Sequence, residues 1–275
     1  MINKIQENIE KLRDINPLTH CITNFVTVND CANSVIAIGG SPIMSNEIDE
    51  ACEIGNIANS VLINIGTLTK PQIETMNKSG ENAEKTNTPF VLDPVGVGIS
   101  EIRNKTTKEI LQYKPQIIRG NISEIKAIAN LIGILEECTT AKGVDAAETD
   151  IITEKTIDNT SELVKNVAKE LNTTLAVSGP IDIISNGEKT YQIRNGDEML
   201  SKITGSGCML GCIIASYLGI TNPLEAAITG TTVMGISGEK AIKTKGTGTF
   251  RVELINELSK INPKTIEQYS NLSKF

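Results

Sequence analysis

The chain has a single histidine, His20, no Cys-x-x-Cys pair among its six cysteines and no run of basic residues. Each absence narrows the field. One histidine leaves a histidine-rich metal centre without its second ligand. A Ser-His-Asp or Cys-His hydrolase would have to use His20, with Cys208 as the available nucleophile. Cys21, Cys31, Cys52, Cys138, Cys208 and Cys212 lie mostly in apolar, helix-like text, as reduced thiols do, which predicts a cytosolic, cytoplasmic protein. A net charge of −7 with scattered Lys and Arg argues against nucleic acid as a partner. The longest apolar stretch, Cys208 to Ile220, is broken by Gly211, Ser216 and Gly219, and no apolar run follows a basic start. Neither export nor membrane insertion is indicated, and a soluble chain is expected. The usual nucleotide signatures are also missing: no Gly-Lys dipeptide marks a Walker-type loop, and no Gly-x-Gly-x-x-Gly marks a dinucleotide fold. Any nucleotide must be held another way.

What is present is an alternation. Short β-rich runs at Val61–Ile65, Phe90–Leu92, Ile117–Ile118 and Thr174–Val177 are separated by longer amphipathic stretches. That is the pattern of βαβ units and predicts a mostly parallel central sheet with helices, an α/β fold. Helical periodicity covers Ile2–Arg13, Val28–Ile38, Ile122–Ile132, Ile157–Leu171, Cys208–Leu218, Leu224–Ile242 and Phe250–Leu258. A hairpin is expected at Ile181–Ser185 and Lys189–Ile193, turned by Asn186-Gly187. With no internal repeat, low-complexity run or linker, residues 1–275 are expected to form a single domain. The strands end in Asn64-Ile65-Gly66-Thr67, Asp93-Pro94-Val95-Gly96, Arg119-Gly120-Asn121 and Ser178-Gly179-Pro180. Ligands bind outside the carboxyl ends of such strands, so these tails are expected to converge on one crevice.

Gly205-Ser206-Gly207 leads directly into the helix-like run from Cys208. Glycines admit a close ligand and the free N–H groups of a first helical turn attract an anion, phosphate above all; an ordinary glycine-capped loop is the plainer alternative. Gly246-Thr247-Gly248-Thr249 opens another helix, as a second cradle or as a start capped by Thr249. Asp93 and Glu124 follow strand ends, where two carboxylates suit Mg²⁺, although Glu124 equally suits its own helix N-terminus and Asp93 a turn. Arg119 ends an apolar strand, where a cation calls for an anion: phosphate, or an internal acid such as Glu124. Cys208 and Cys212, four apart, share a helix face, and Cys212 reads as a core thiol.

Taken in order, Pro17-Leu18-Thr19-His20-Cys21-Ile22-Thr23-Asn24, Gly39-Gly40-Ser41-Pro42-Ile43-Met44, Val91 to Gly98, Arg119-Gly120-Asn121-Ile122-Ser123-Glu124 and Thr204 to Leu210 resemble the hydroxyethylthiazole kinases of thiamine salvage. The likeness runs from Pro17 to Leu258 and is thin between Gly133 and Thr173, apart from Lys142-Gly143-Val144-Asp145. The resemblance implies a ribokinase-like α/β fold with helices on both faces, a cytoplasmic homotrimer, ATP as co-substrate, Mg²⁺, and a thiazole alcohol as acceptor. It also implies thiazole contacts from Met44, Gly205, Asn24 and His20, ATP contacts from Arg119, Ser178 and Asn121, and metal contacts from Asp93 and Glu124. Gly205, Ser206, Gly207 and Cys208 would form the catalytic turn, with Cys208 standing where related kinases carry an aspartate base. A thiol there is expected to be lowered by the helix N-terminus. Ser178 and Ser206 stand where the family more often has threonine, and Gly246-Thr247-Gly248-Thr249-Phe250 departs from Gly-Pro-Gly-Ser-Phe. The rival readings are a hydroxymethylpyrimidine kinase, an ATP-dependent hydrate dehydratase, a Cys208 hydrolase and a non-catalytic binding module.

Overall fold

In the computed structural model, which describes residues 1–134, 152–243 and 246–275, the strands form a nine-stranded sheet in the order β2-β1-β3-β4-β5-β6-β7-β8-β9. The strands are β1 (Leu18–Ile22), β2 (Ser41–Ile43), β3 (Ser60–Asn64), β4 (Phe90–Asp93), β5 (Ile117–Asn121), β6 (Thr174–Ser178), β7 (Asp182–Ser185), β8 (Thr190–Ile193) and β9 (Leu272–Lys274). β2 through β6 in that order pair in parallel, and β7, β8 and β9 add antiparallel strands. The mostly parallel α/β architecture expected from the alternating pattern is present.

One face carries α1 (Ile2–Ile15), α2 (Val28–Ile38), α8 (Ser206–Leu218), α9 (Pro223–Ala241), α10 (Thr247–Lys260) and α11 (Pro263–Tyr269), with Val35, Leu62, Val91, Ile213 and Phe250 in its core. The other carries α3 (Ala51–Ile57), α4 (Lys70–Thr86), α5 (Glu101–Leu111), α6 (Ile122–Leu131) and α7 (Ile157–Leu171), with Ile63, Met76, Leu92, Ile125 and Val164 in its core. Strand side chains alternate, so Leu62, Val91 and Ile117 point to the α8 face while Ile63, Leu92 and Ile118 point to the α6 face. Both faces being covered explains why the strands read as continuous apolar runs. Helix α8 is buried on nearly every side from Met209 to Leu218, which accounts for its lack of an amphipathic stripe.

Several elements escape the sequence pattern for identifiable reasons. β1 buries Thr19 and His20, polar residues that mask a strand; Thr19 Oγ1 donates to Ser216 Oγ on α8 at 3.0 Å. α4 and α5 bury Thr75, Ser79, Gly80, Thr106 and Thr107 where an apolar stripe would be sought. β2 and β9 are three-residue edge strands and α3 and α11 short helices. The hairpin turns on Gly187-Glu188, not on Asn186-Gly187. Only Gly187 has positive φ (84°), and Asn186 Oδ1 accepts from the Glu188 and Lys189 amides at 3.1 and 2.8 Å. Gly246, not Thr249, is the N-cap of α10; the Thr249 hydroxyl donates back to the Gly246 carbonyl at 3.0 Å. Lys142-Gly143-Val144-Asp145 lies outside the described residues.

Candidate active site

Asn64, Asp93, Arg119 and Ser178 each stand two positions after an inward residue on the α8 face, so the alternation of β3, β4, β5 and β6 delivers all of them to that side at the strands' carboxyl ends. Register does the rest. Asn64 lies opposite Asp93, and Asn64 Nδ2 donates to Asp93 Oδ2 at 2.9 Å. Arg119 Nη1 stands 3.6 Å from Asp93 Oδ1, and Arg119 Nη2 donates to Ser178 Oγ at 2.7 Å. Thus the internal acid paired with Arg119 is Asp93 and not Glu124. Burial pushes the Asp93 carboxyl up to about 7, with Glu124 adding to the rise, while Arg119 and the Asn64 hydrogen bond oppose it. Burial also works against the Arg119 cation, but the Asp93 and Glu124 carboxylates more than offset it and hold the guanidinium charged.

The amino end of α8 meets this row. A Cβ at Gly207 would fall 2.6 Å from Arg119 Nη1, so only glycine lets the guanidinium lie against the first turn. Gly205 has φ of 85°, and a Cβ there would strike Thr27 Cγ2 at 2.5 Å. The unpaired N–H groups of a helix start and a guanidinium both carry positive potential, and here they are pressed together. Arg119 Nε, buried, has no hydrogen-bond partner, and neither does Asp93 Oδ1 beyond the ion pair. An arrangement of this kind is completed by an anion with several oxygens.

Beyond Arg119 and Ser178 opens a cavity of about 490 Å³, lined also by Asp182, Asn195, Gly207, Leu210 and Met234. Asp182 is half-buried at its wall; burial pushes its carboxyl up to about 7, while the Gly179 amide, donating at 3.0 Å, and Arg119 pull it down. On the other side of Gly207 stands a second polar group. Asn24 Nδ2 donates to Cys208 Sγ at 3.5 Å and to Asn64 Oδ1 at 3.2 Å, and Thr27 Oγ1 donates to Asn24 Oδ1 at 3.2 Å. The lowered thiol expected at Cys208 does not occur. Burial first, and the Asp93 carboxylate second, push it up, because desolvation of a half-enclosed thiol beside an acid outweighs the helix end.

Met44 is half-buried against the core of the α8 face. His20 is fully buried and, by alternation with Thr19, points to the opposite face, where its Nε2 bonds the Ser45 carbonyl at 3.2 Å. It supports the loop after Met44 rather than joining Cys208, which removes the Cys-His pairing. Burial pushes the imidazole down, so it is neutral near pH 7. Asn121 and Glu124 form a reciprocal cap on α6: Glu124 N donates to Asn121 Oδ1 at 2.9 Å and Asn121 N donates to Glu124 Oε2 at 2.8 Å. Glu124 Oε1 accepts from Gly96 N at 2.9 Å. Thr27 and Asp182 carry no local sequence signal that marks them as site residues. Asn64 does, since it ends an apolar strand just as Asp93 does.

Among the described residues no group of three or more His, Cys, Asp and Glu is placed to hold a metal ion. Asp93 Oδ1, which accepts no hydrogen bond and has only the 3.6 Å ion pair with Arg119, and the nearby Glu124 carboxylate fit a Mg²⁺ that takes most of its ligands from phosphates and water, as this ion does at such sites.

A profile of the Hydroxyethylthiazole kinase family matches residues 9–264. The chain is 61% identical to hydroxyethylthiazole kinase 1 of Methanosphaera stadtmanae, covering 99% of this chain and 98% of that protein. It is 44% identical to a hydroxyethylthiazole kinase of Clostridium beijerinckii, covering 98% and 97%. Its fold superposes on the structure of the hydroxyethylthiazole kinase protein from Pyrococcus horikoshii with a TM-score of 0.88 at 35% identity, over 99% of both chains. A pyridoxal kinase of Staphylococcus aureus in complex with AMP-PCP shares the fold alone, with a TM-score of 0.62 at 14% identity, over 94% of this chain and 97% of that one.

Proposed function

The chain belongs to the hydroxyethylthiazole kinase family, and on that premise we propose that it transfers the γ-phosphate of ATP to the primary alcohol of 5-(2-hydroxyethyl)-4-methylthiazole, directly and in line. The observation that carries the reading is the Arg119 guanidinium pressed against Gly207 at the start of α8, a preformed anion site at the edge of the 490 Å³ cavity. The nucleotide occupies the 490 Å³ cavity with its phosphates reaching Arg119 and Ser178, and the alcohol approaches from the side of Asn24, Met44 and Cys208. Gly205, Ser206 and Gly207 cradle the transferring group with backbone N–H groups, which stabilise the charge that develops on its equatorial oxygens. Mg²⁺, beside Asp93 and Glu124, supplies charge neutralisation of the phosphates when bound. Cys208 stays a neutral thiol and helps shape the alcohol pocket; transfer of this type asks more of positioning than of a strong base.

Self-association as a homotrimer is part of the same reading. Phe25 and Val26, 72% and 53% exposed, lead into α2, where Ile36 is 58% exposed, and Val252 on the neighbouring α10 is 63% exposed. Exposed apolar side chains in such number on two neighbouring helices and the loop before them suit burial against a second copy. We also place the activity in the cytoplasm and treat residues 1–275 as one catalytic unit. Among the described residues no helix is long and apolar enough to cross a membrane.

Incubation of the purified protein with ATP, Mg²⁺ and the thiazole alcohol should yield ADP and the phosphate ester in equal amounts. ADP formed at the same rate without the alcohol, or faster turnover of a hydroxymethylpyrimidine, would reject this assignment.

A further inference from the structure

We propose that Asn64 is a positioning residue that sets the phosphate side of the site against the alcohol side through its hydrogen bonds to Asp93 and Asn24. The inference rests on the kinase reading above. Asn64 is fully buried at the end of β3, and the direction of its amide is determined by its neighbours. The Gly66 N–H is able only to donate, so the atom it meets at 2.9 Å is Oδ1. The nitrogen is thereby turned to Asp93 Oδ2, at 2.9 Å. Asn24 is oriented in turn. Asn64 Oδ1 is able only to accept, so the atom it meets at 3.2 Å is Asn24 Nδ2, which also donates to Cys208 Sγ at 3.5 Å and leaves Asn24 Oδ1 to accept from the Thr27 hydroxyl. Flipping the Asn64 amide would set its NH₂ against the Gly66 N–H and its oxygen against a carboxylate.

The result is a continuous set of contacts from Ser178 through Arg119, Asp93, Asn64 and Asn24 to Cys208, crossing β6, β5, β4, β3, the loop after β1 and α8. Asn64 is the joint within it. The groups on one side of it meet the phosphates, and those on the other meet the alcohol. Local packing is built around the joint. A Cβ on Gly66 would lie 2.5 Å from Asn24 Nδ2, so glycine is what allows Asn24 to reach Asn64. In-line transfer depends on the separation and angle of two reactants, and a displacement of about 1 Å is enough to cost roughly a hundredfold in rate. A rigid amide tying the two halves is the device this site uses to hold that geometry.

The test is steady-state kinetics on native protein, Asn64→Leu, Asn64→Asp, Asn24→Ala and the Asn64→Leu/Asn24→Ala pair, with thermal melts of each. Asn64→Asp keeps an oxygen for Gly66 and Asn24 but replaces the donor to Asp93 by a second carboxyl, which must share a proton with Asp93 or repel it, so it reports on the broken link to Asp93 even where Asn64→Leu fails to fold. Both Asn64 variants should lose kcat by roughly ten- to a hundredfold, the loss expected of a buried hydrogen bond to a charged group, with both KM values within about threefold of native. The double variant should be no slower than the slower single variant, because the two residues act as one connection. A purely structural Asn64 would lower the melting temperature and leave kcat of the folded Asn64→Asp protein at the native value, which overturns the inference. So would losses that multiply in the double variant. Absent turnover in the native protein would instead reject the kinase reading.

Discussion

Replacing Gly207 by alanine tests the anion site where its geometry is tightest. The new Cβ would stand 2.6 Å from Arg119 Nη1, 2.8 Å from Nη2 and 3.0 Å from Cζ. To reach an ordinary 3.4 Å contact the guanidinium must withdraw by about 0.8 Å from the helix start. Its tether to Ser178 at 2.7 Å and its pair with Asp93 at 3.6 Å resist that movement, so the group tilts rather than translates. Loss of a charge-assisted hydrogen bond to phosphate costs about 1.5–3 kcal/mol, which is roughly a 10- to 150-fold fall in kcat/KM for ATP. Stability should move little, because alanine in place of glycine favours the helix by up to about 1 kcal/mol. The assay is ADP release at varied ATP with the alcohol saturating, for Gly207→Ala, Arg119→Ala and the pair. If the mechanism acts through Arg119, the double variant matches Arg119→Ala alone. A native kcat/KM for Gly207→Ala, or an undiminished extra loss in the Arg119→Ala background, would refute the reasoning.

Cys208→Ala should keep kcat within about a hundredfold of native, below the range expected on removing a general base, since the thiol is pushed up and stays neutral; a loss of about a hundred- to ten-thousandfold would return Cys208 to the role of base. Tyr217 is fully buried with its hydroxyl unpartnered, so Tyr217→Phe should raise the melting temperature, by removal of a group whose desolvation costs about 1–3 kcal/mol. A lower melting temperature would show that the hydroxyl is bonded. The Asp182 carboxyl is raised from 3.8 to about 7, so its stabilising, protonated form is complete below pH 3.8 and is lost as the pH rises through about 7. Asp182→Asn cannot ionise, and its melting temperature should therefore gain on the native protein's across that window; a difference that stays constant with pH would contradict the shift.

The fold class was legible because burial imposes periodicity. Continuous apolar runs mark strands covered on both faces, and Val28–Ile38 and Ile157–Leu171 stand out as helices because each turns one stripe inward. Asp93, Arg119 and Ser178 could be suspected from position alone, as polar residues ending apolar strands. By contrast α4 and α5, which bury threonine, serine and glycine, leave no such trace.

What the sequence determined by itself is therefore the alternation of strand and helix, the polar strand ends and the glycines that open α8. Pairing was decided by the tertiary structure. Asp93 with Arg119, Asn64 with Asn24 and Arg119 with Gly207 are set by the register of parallel strands and by how closely α8 rests on them, and parallel register joins residues far apart in the chain. The direction of the Cys208 shift belongs to the same class. A helix N-terminus is written in the local sequence, but the burial and the Asp93 carboxylate that outweigh it exist only once the sheet and α8 have come together.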